Sequence, residues 1–414
     1  MRTTLVALIL TSVLSGNAVS DGIATGNRLR LQRDLAGAER QYRSALKEAR
    51  GEPRAKALNN LGAVYHEQAR YAEAEKLWLE SLELFTKDSS GDYREQIAIT
   101  AANLGESYRL QGRYLEAERY LQQSLSIRRQ LNNGGGASLA TALNKIACLR
   151  LDEGRFEEAE PYSLEAAAIR DRLGLSDDLA AAAIHHTLAQ SYRMQKKLAL
   201  AEGAYLRSLS IRRSLLGPDH PETAISLNSL GALYIDQERW EEARGHIDKA
   251  LHIRREAFGP EHPNVAASLN NKALLLMRQR EFQAGRQAVA EAVQIWERSL
   301  NPDHLYLAAG LTNLAHSYIG TGDLAEAEPH LRRALSIYER VDPGNSQHAD
   351  TLIQMADLFV IQGKLKGAEK LLRKAMGIRE ATGRTTELAH ARTALAGVFR
   401  LQKRFLEADK LLAK

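Results

Sequence analysis

The stretch LGPDHPETAISLNSLGALY, from Leu216 to Tyr234, decides the fold of this chain. Gly217 suits the left-handed residue that ends a helix, and Pro218 directly behind it cannot continue that helix. Pro221 suits the first turn of a new helix, where the N–H that proline lacks would have no partner. Large apolar residues then recur at helical spacing, at Ile225, Leu227, Leu230 and Tyr234. The stretch therefore predicts the end of one helix, a short linker and the start of an amphipathic helix.

The same pattern recurs along the chain with a period close to 42 residues. Two further copies, FGPEHPNVA and LNPDHLYLA, begin 42 and 84 residues after Leu216. A small marker residue recurs at spacings of 40 to 43, and more small residues follow it by 12 and 19 positions. A large apolar or aromatic residue lies three positions after each marker, except where Arg150 stands. Such self-similarity is the signature of a repeat protein. The markers are Gly62, Gly105, Ala147, Ala189, Gly231, Ala273, Ala315, Ala356 and Ala396.

The composition favours helices and argues against two classes of partner. The 414 residues are rich in Ala, Leu, Glu and Arg, with few β-branched runs, which disfavours a sheet-rich fold. The formal net charge of +5 is small for this length and lacks the strong basic excess of a nucleic-acid-binding protein. No stretch approaches the roughly 20 apolar residues of a membrane span. We therefore expect neither a nucleic-acid partner nor an integral membrane segment in the mature chain.

The small–aromatic–small pattern resembles the tetratricopeptide repeat, in the long form found in kinesin light chains. Leu216–Tyr234 and Phe258–Leu276 carry the linker and first helix of that form nearly complete, and the resemblance extends over 35–414. It weakens at Arg150, in two linkers without the acid–His–Pro element, and where Leu305 replaces the proline. HEAT-type repeats share a period of about 40 residues but do not explain the three small positions. The resemblance implies an all-α fold, a right-handed α-solenoid of stacked antiparallel helix pairs.

This pattern divides the chain into four segments. Residues 1–20 are predicted to be a secretory signal peptide, because Arg2 precedes the mostly apolar Leu5–Leu14, and small residues precede a cut after Ser20. A buried N-terminal helix is the alternative. Cleavage after Ser20 predicts a secreted or periplasmic protein. The remaining segments are an N-terminal partial repeat at 21–52, mostly a second helix at Leu35–Glu48, eight tetratricopeptide repeats at 53–383, and a truncated repeat at 384–414.

Each copy of the opening stretch carries an acid beside a histidine, and three explanations are open. Asp219-His220, Glu261-His262 and Asp303-His304 could be metal ligands, catalytic groups or linker residues between helices. Equivalent residues of successive repeats lie at least about 8–10 Å apart, whereas ligands of one zinc each lie about 2.1 Å from the metal. The three histidines therefore cannot share an ion, and we expect them to mark the linkers.

Other motifs also favour a non-catalytic chain without cofactor or metal. GTGDLA at 320–325 fits a dinucleotide-binding pattern but follows no predicted strand. Gly134–Gly136 could hold an anion, yet no Lys-Ser/Thr follows, so a degenerate linker is the simpler interpretation. Cys148 is the single cysteine; it can form no internal disulfide and is interpreted as a small buried residue. No HExxH, GxSxG or P-loop occurs. We expect no enzyme activity, although an enzyme is a third hypothesis.

Asparagine is enriched two and three positions before the marker residue, in the first helix of six units. Asparagine is a poor helix former, and its amide offers both a donor and an acceptor to a peptide backbone. The resemblance implies that first helices line a concave groove for extended peptides, and that groove asparagines contact the peptide. The alternative is that these amides bridge adjacent first helices. The predicted groove residues are Asn59, Asn60, Asn103, Arg109, Asn144, Lys145, His186, Arg193, Asn228, Asn270, Asn271 and Asn313.

The sequence as a whole predicts an exported, non-enzymatic scaffold that binds a protein or an extended peptide in this groove. The alternative is an assembly module that self-associates through an uncapped C-terminal end, since no polar capping helix follows Phe405. Arginine pairs such as Arg128-Arg129, Arg212-Arg213 and Arg254-Arg255 recur at the ends of second helices. They are interpreted as complements of the helix dipole, with a basic ridge for acidic partners or lipid as the alternative.

Overall fold

The computed structural model describes residues 18–68, 70–131, 136–382 and 385–413, and for Thr385 and Thr386 the backbone alone. These residues form helices joined by turns, without a strand among them. Within the same ranges, no helix combines the length and apolar character that crossing a bilayer requires. The helices are α1 (18–31), α2 (Leu35–Glu48), α3 (Gly51–Glu67), α4 (Tyr71–Lys87), α5 (Arg94–Leu110), α6 (Tyr114–Gln130), α7 (Ala137–Asp152), α8 (Phe156–Arg172), α9 (Leu179–Met194), α10 (Leu198–Leu216), α11 (Pro221–Asp236), α12 (Trp240–Phe258), α13 (Pro263–Arg278), α14 (Phe282–Ser299), α15 (Leu305–Thr321), α16 (Leu324–Val341), α17 (Ser346–Ile361), α18 (Leu365–Ala381), α19 (Thr385–Leu401) and α20 (Phe405–Leu412).

The helices are distributed over two compact units. The N-terminal unit comprises Met1–Leu149 and Glu165–Gly174, and the C-terminal unit comprises Arg150–Leu164 and Leu175–Lys414. Odd-numbered helices are the first helix of a repeat and even-numbered helices the second. In the N-terminal unit α3 packs on α4 and α5 on α6; in the C-terminal unit the same order continues from α9 to α20. The predicted all-α solenoid of helix pairs is confirmed.

Marker residues are small because the second helix of the same repeat lies directly against them. A Cβ atom on Gly62 would come 2.7 Å from Nε1 of Trp78, and one on Gly105 2.6 Å from Cγ of Leu121. In the C-terminal unit a Cβ on Gly231 would lie 2.5 Å from Cγ1 of Ile247. The contacted residue follows its marker by 16 positions each time. The close approach predicted for the two helices is therefore present in both units.

The first repeat has a first helix that the sequence interpretation did not place there. The polar stretch before Leu35 lies in α1, where the Tyr42 hydroxyl donates to Oδ1 of Asn27 at 2.6 Å. A Cβ atom on Gly26 would lie 2.6 Å from the Tyr42 ring, again with a separation of 16 positions. Gly26 is thus a further marker, missed because it precedes Gly62 by 36 residues rather than 42. The shorter spacing reflects α2, which has 14 residues.

The predicted signal peptide lies largely outside the described residues. Only its last three residues, 18–20, belong to the structure, and they are part of α1. Val19 is buried there and packs with Ala45 and Ala49 of α2. The predicted cut after Ser20 therefore falls inside α1.

The acid–His pairs are linker residues, as expected. Nδ1 of His220, His262 and His304 each accepts a hydrogen bond from the backbone N–H two residues later, at 3.1 Å in all three. Each histidine is the N-cap of a first helix. Its ring nitrogen accepts a hydrogen bond from a backbone N–H of the first turn that has no partner within the helix. The neighbouring acids pair with cations of the second helix of the same repeat: Asp219 with Lys249, Glu261 with Arg298 and Asp303 with Arg340.

The arginine pairs do not form the exposed ridge that was one interpretation of them. The first member of each pair is buried, at 7 % exposure for Arg128 and 5 % for Arg254. Arg254 Nη1 donates to the Asn264 carbonyl at 2.9 Å and to Ser268 Oγ at 2.8 Å, so it ties α12 to the next first helix. Arg128 Nη1 likewise donates to the Ser138 carbonyl. The second members, such as Arg129 and Arg255, are exposed.

Candidate peptide-binding groove

The predicted groove residues lie on first helices in both units. We call the corresponding surface of each unit, considered separately, its first-helix face: the side chains two and three positions before each marker residue and those one, four and five positions after it. Because 3 and 4 residues make about one helical turn, these positions share one side of the helix. The asparagines on this face are half-buried. Their amides therefore lie between the core and the surface.

In the N-terminal unit the asparagine side chains bond to one another. Asn103 Nδ2 donates to Oδ1 of Asn59 at 3.2 Å, which joins α5 to α3. Asn59 Nδ2 donates to Oδ1 of Asn60 at 3.3 Å, and Asn60 Nδ2 donates to Oδ1 of Asn27 on α1 at 2.9 Å. Asn144 differs, because its buried Oδ1 has no hydrogen-bond partner among the residues described. The amides thus form a ladder across α1, α3 and α5.

The two cations predicted for this part of the groove share one carboxylate. Arg109 Nη2 lies 2.8 Å from Glu106 Oε1, and Lys145 Nζ lies 3.3 Å from Glu106 Oε2. Burial opposes the charge of Glu106, but Lys145 and Arg109 outweigh it and lower the pKa of the carboxyl to about 2. Glu106 therefore stays ionised at neutral pH. The net charge of the three groups is one positive charge rather than two.

In the C-terminal unit, asparagines of three first helices form a similar ladder. Asn313 Nδ2 donates to Oδ1 of Asn270 at 2.9 Å, and this bond joins α15 to α13. Asn271 Nδ2 donates to the Asn228 backbone carbonyl at 3.4 Å, from α13 to α11. The side-chain oxygen of Asn228 is buried and accepts no hydrogen bond within the described ranges.

His186 and Arg193 lie on α9, where the asparagine pattern is interrupted. Burial lowers the pKa of His186 to about 3, with Arg212 as a second cause, so the imidazole is neutral at physiological pH. Its ring stands edge-on to Tyr205, with centroids 5.3 Å apart. Arg193 Nε lies 2.6 Å from Asp236 Oδ2 on α11. His186 is therefore an uncharged residue at the edge of the core, and Arg193 forms an ion pair with Asp236.

These contacts bear on the two hypotheses for the asparagines. The bridging hypothesis is confirmed for Asn59–Asn103, Asn228–Asn271 and Asn270–Asn313, each of which joins two first helices. Peptide binding stays a prediction. The side chains of Glu106 and Asp236 pair with the predicted cations Arg109, Lys145 and Arg193, which limits the net positive charge at these positions.

A second network links successive repeats at the turn inside each helix pair, and it was not predicted. Arg239 lies over the Tyr234 ring at 4.1 Å from its centroid, and its Nη1 lies 2.8 Å from Glu202 Oε1 in the preceding repeat. The Tyr234 hydroxyl and Gln237 also donate to Glu202. The arginine, the tyrosine ring and hydroxyl and the glutamate are arranged alike at Glu39, Tyr65 and Arg70 and at Glu75, Tyr108 and Arg113. At Glu369, Phe399 and Arg404 the arginine contacts are the same, but the ring carries no hydroxyl.

The charges of this network are exchanged in two adjacent repeats. The position of Glu202 is occupied by Arg286 two repeats later, and the position of Arg239 by Asp323. Arg286 Nη2 lies 2.9 Å from Asp323 Oδ2, and the guanidinium lies 4.0 Å from the centroid of the Tyr318 ring. The attraction is kept although both signs are reversed. The exchange is visible in the sequence when the residues at positions 202 and 239 are compared with those at the same positions of later repeats, because both charges change sign together.

The described residues offer no arrangement typical of a metal site. Across the ranges that the structure covers, no group of three or more His, Cys, Asp and Glu side chains is placed to hold an ion. His220, His262 and His304 cap three different helices. The dinucleotide-like GTGDLA forms the end of α15 and the turn to α16, and Cys148 is half-buried on α7.

Comparison with known proteins gives the family and the fold. The family model of the tetratricopeptide repeat matches residues 53–130, 138–214, 179–251, 227–279 and 265–340. No curated protein sequence matches.

Many solved structures are similar to the chain, and three of them illustrate the likeness. The apo form of the quorum sensor NprR from B. thuringiensis is 15% identical with a TM-score of 0.56, covering 86% of this chain and 96% of NprR. The apo form of RapI is 14% identical with a TM-score of 0.51, covering 87% and 95%. BtubC from P. vanneervenii is 22% identical with a TM-score of 0.43, covering 56% and 92%. At these identities the likeness to NprR and RapI concerns the fold alone.

The family match spans well over half of the sequence, and the helix pairs repeat with the predicted period of about 42 residues. This chain therefore belongs to the tetratricopeptide repeat family and is of its long-repeat type.

Proposed function

We propose that this protein is a non-catalytic scaffold that binds an extended peptide or protein segment on its first-helix face. The observation that carries the proposal is the Asn270–Asn313 pair. A primary amide has two donors and an acceptor, and this bond uses one donor of Asn313 and the acceptor of Asn270. The Asn313 oxygen and the Asn270 NH2 group take part in no other hydrogen bond in the described part of the chain. One acceptor and one donor, side by side and half-buried, are complementary to the N–H and C=O of a peptide backbone.

Ion pairs on the first helices of each unit, considered separately, restrict which peptide fits there. Arg109 and Lys145 share Glu106, and Arg193 is paired with Asp236. A ligand carboxylate would have to compete with these internal acids, so charge contributes little to affinity. Main-chain hydrogen bonding to amides is therefore the principal source of recognition in this proposal, as in other sites that bind extended peptides.

The test is selection of peptides from a displayed random library on the purified protein, followed by fluorescence anisotropy of a selected peptide. Replacing Asn228, Asn270, Asn271 and Asn313 by alanine should weaken binding by a factor of about ten or more, since each hydrogen bond contributes about 1 kcal/mol. The matched control replaces Gln283, Gln287 and Gln294, exposed amides on α14. Equal affinity of both variants would contradict the proposal, as would a library that yields no binder.

Export is a further part of the proposal and rests on the sequence of residues 1–20. The cut after Ser20 would remove Val19, which packs on α2, so the mature chain would begin inside α1. N-terminal sequencing of the mature protein tests this. A chain that starts at Asp21 in the extracellular or periplasmic fraction supports it, and an intact Met1 in the cytosol contradicts it.

Self-association remains the second candidate, and exposed apolar side chains near the C-terminus favour it. Leu401, Phe405 and Leu406 are 58 %, 59 % and 79 % exposed. Sedimentation velocity over a range of concentrations distinguishes the candidates: a mass that rises with concentration, and falls when Leu406 is replaced by serine, supports self-association.

A further inference from the structure

The positive charge of this protein is concentrated in its last 55 residues. Residues 360–414 contain 13 Lys and Arg against 5 Asp and Glu, whereas the whole chain contains 56 against 51. The rest of the chain therefore carries slightly more acids than bases. A basic excess confined to one segment creates a local positive potential that the total of +5 conceals.

Several of these cations have no internal partner. Lys366 and Lys370 are exposed on α18, Lys403 is exposed in the turn before α20, and Lys410 is exposed on α20. None of the four forms an ion pair with any residue that the structure describes, although neighbours such as Arg373 and Arg404 are paired with Glu369. The four ammonium groups are therefore available to an anionic partner.

Apolar side chains project from the same region. On α20, Leu406 lies four residues before Lys410, so these two side chains share one side of the helix, and Lys403 lies in the turn that precedes it. Leu406 is 79 % exposed, and Leu412, which lies six residues further on, is 45 % exposed. Helix α20 is held in place on its opposite side, since Ala408 and Leu411 pack in one core with Leu372 and Phe399. This surface, which we call the α18–α20 face, thus combines lysines with protruding leucines.

The charge decides which occupant fits the α18–α20 face. A second copy placed symmetrically on it would bring two surfaces of like charge together. The N-terminal region is also basic, with seven Lys and Arg against four Asp and Glu over residues 18–50, so a head-to-tail copy meets the same repulsion. An anionic lipid surface is complementary, because it attracts lysines at about 1 kcal/mol each and accepts protruding apolar side chains without a preformed pocket.

We propose that the α18–α20 face docks this protein peripherally on a membrane containing anionic lipid, with Lys366, Lys370, Lys403 and Lys410 at the headgroups and Leu406 in the interface. The docking is independent of the first-helix face. It requires no membrane-spanning helix, since single side chains enter the headgroup region.

The test is cosedimentation with vesicles of phosphatidylcholine alone and of phosphatidylcholine with phosphatidylglycerol. The protein should bind the mixed vesicles only, and less at high salt. Replacing Lys370, Lys403 and Lys410 by glutamine should weaken binding on the order of 100-fold, from about 1 kcal/mol for each lysine. The control replaces Lys47, Lys76 and Lys196, which are also exposed and without ion pairs within the described ranges. Lys76 holds the repeat position of Lys370 and Lys410, and Lys196 that of Lys403.

The apolar part is tested by Leu406→Ser against Leu115→Ser. Leu115 occupies the same repeat position and is 87 % exposed, so both changes remove an equivalent surface leucine. Leu406→Ser should weaken vesicle binding several-fold, and Leu115→Ser should not change it. All variants are made in the chain that begins at Asp21, so the apolar stretch at 5–14 makes no contribution to vesicle binding.

Three results would overturn the proposal. Equal binding to both kinds of vesicle would show that anionic lipid is not recognised. Equal weakening when the control lysines are replaced would show that the α18–α20 face is not the binding surface. Retention on immobilised polyglutamate without any vesicle binding would show that the face recognises an acidic polypeptide instead of lipid.

Discussion

The side-chain amide of Asn313 donates a hydrogen bond to the side-chain oxygen of Asn270, 43 residues earlier, at 2.9 Å. This one contact joins two first helices and leaves the Asn270 NH2 group and the Asn313 oxygen without a hydrogen-bond partner within the described ranges, as the proposed binding role requires. Asparagine is costly inside a helix, and the cross-repeat bond is a structural reason for its presence. Structural and binding roles are therefore not alternatives at this pair, and they can be separated by measurement.

Asn313→Ala should lower the free energy of unfolding by about 1 kcal/mol, because the Asn270 oxygen loses its donor. The double variant with Asn270→Ala should cost less than the sum of the two single changes, which gives a coupling energy of about 0.5 to 1 kcal/mol. Urea unfolding followed by circular dichroism measures both. Additive effects would mean that the bond contributes nothing to stability.

Exchanging the charges of Glu202 and Arg239 should reproduce the arrangement already present at Arg286 and Asp323. Glu202→Arg alone places two guanidinium groups together and should destabilise the protein by about 1 kcal/mol. Adding Arg239→Glu should restore most of that loss. A double variant no more stable than the single one would show that the Tyr234 contact or Glu242 requires arginine at 239.

Arg254→Ala should destabilise the protein by about 2 to 4 kcal/mol, because it removes a buried guanidinium and leaves the buried Ser268 Oγ and the part-buried Asn264 carbonyl without this donor. Arg255→Ala is the matched control, since its exposed side chain pairs only with Glu291 across the surface. We expect that change to cost less than about 1 kcal/mol. Similar losses for the two variants would contradict the buried role of Arg254.

Gly231→Ala should destabilise the C-terminal unit, because the new Cβ would lie 2.5 Å from Ile247 Cγ1. Overpacking of this kind costs about 1 to 3 kcal/mol. Gly245→Ala on α12 has nothing within 4 Å of the new Cβ and should stabilise by about 0.5 to 1 kcal/mol through helix propensity. Thermal unfolding of the two variants should therefore shift in opposite directions.

Glu106 should make stability fall as the pH is lowered from about 4.5 towards 2. The pKa of its carboxyl is about 2 in the folded protein, against an ordinary value of 4.5 that applies to the unfolded chain. The unfolded chain therefore takes up the proton first, and acidification favours unfolding. The contribution is at most about 3 kcal/mol and is complete above pH 4.5. Glu106→Gln should be less stable at pH 7, yet lose less on acidification. Parallel pH profiles for the two proteins would contradict this.

The sequence by itself determined the repeat and most of its local structure. Glycine and proline at linker positions, the 42-residue period and the small marker residues are properties of one unit, and helical geometry turns them directly into helix ends and close helix contacts. The histidine caps could be placed for the same reason, because capping joins residues two positions apart. Helix α1 was missed because the first repeat is shorter, which moves Gly26 out of the common period.

The pairing of side chains between repeats was decided by the tertiary structure. Asn270 could bond to a neighbour or face a ligand, and the distance to Asn313 is set by how α13 packs on α15. Arg109 and Lys145 count as two positive charges in the sequence, yet both lie against Glu106 and lower the pKa of its carboxyl. Local rules extend over one helical turn, whereas partners in successive repeats lie about 42 positions apart. The packing of one repeat on the next therefore determines which polar side chains pair, and the repeat pattern alone does not distinguish these partners from other polar residues.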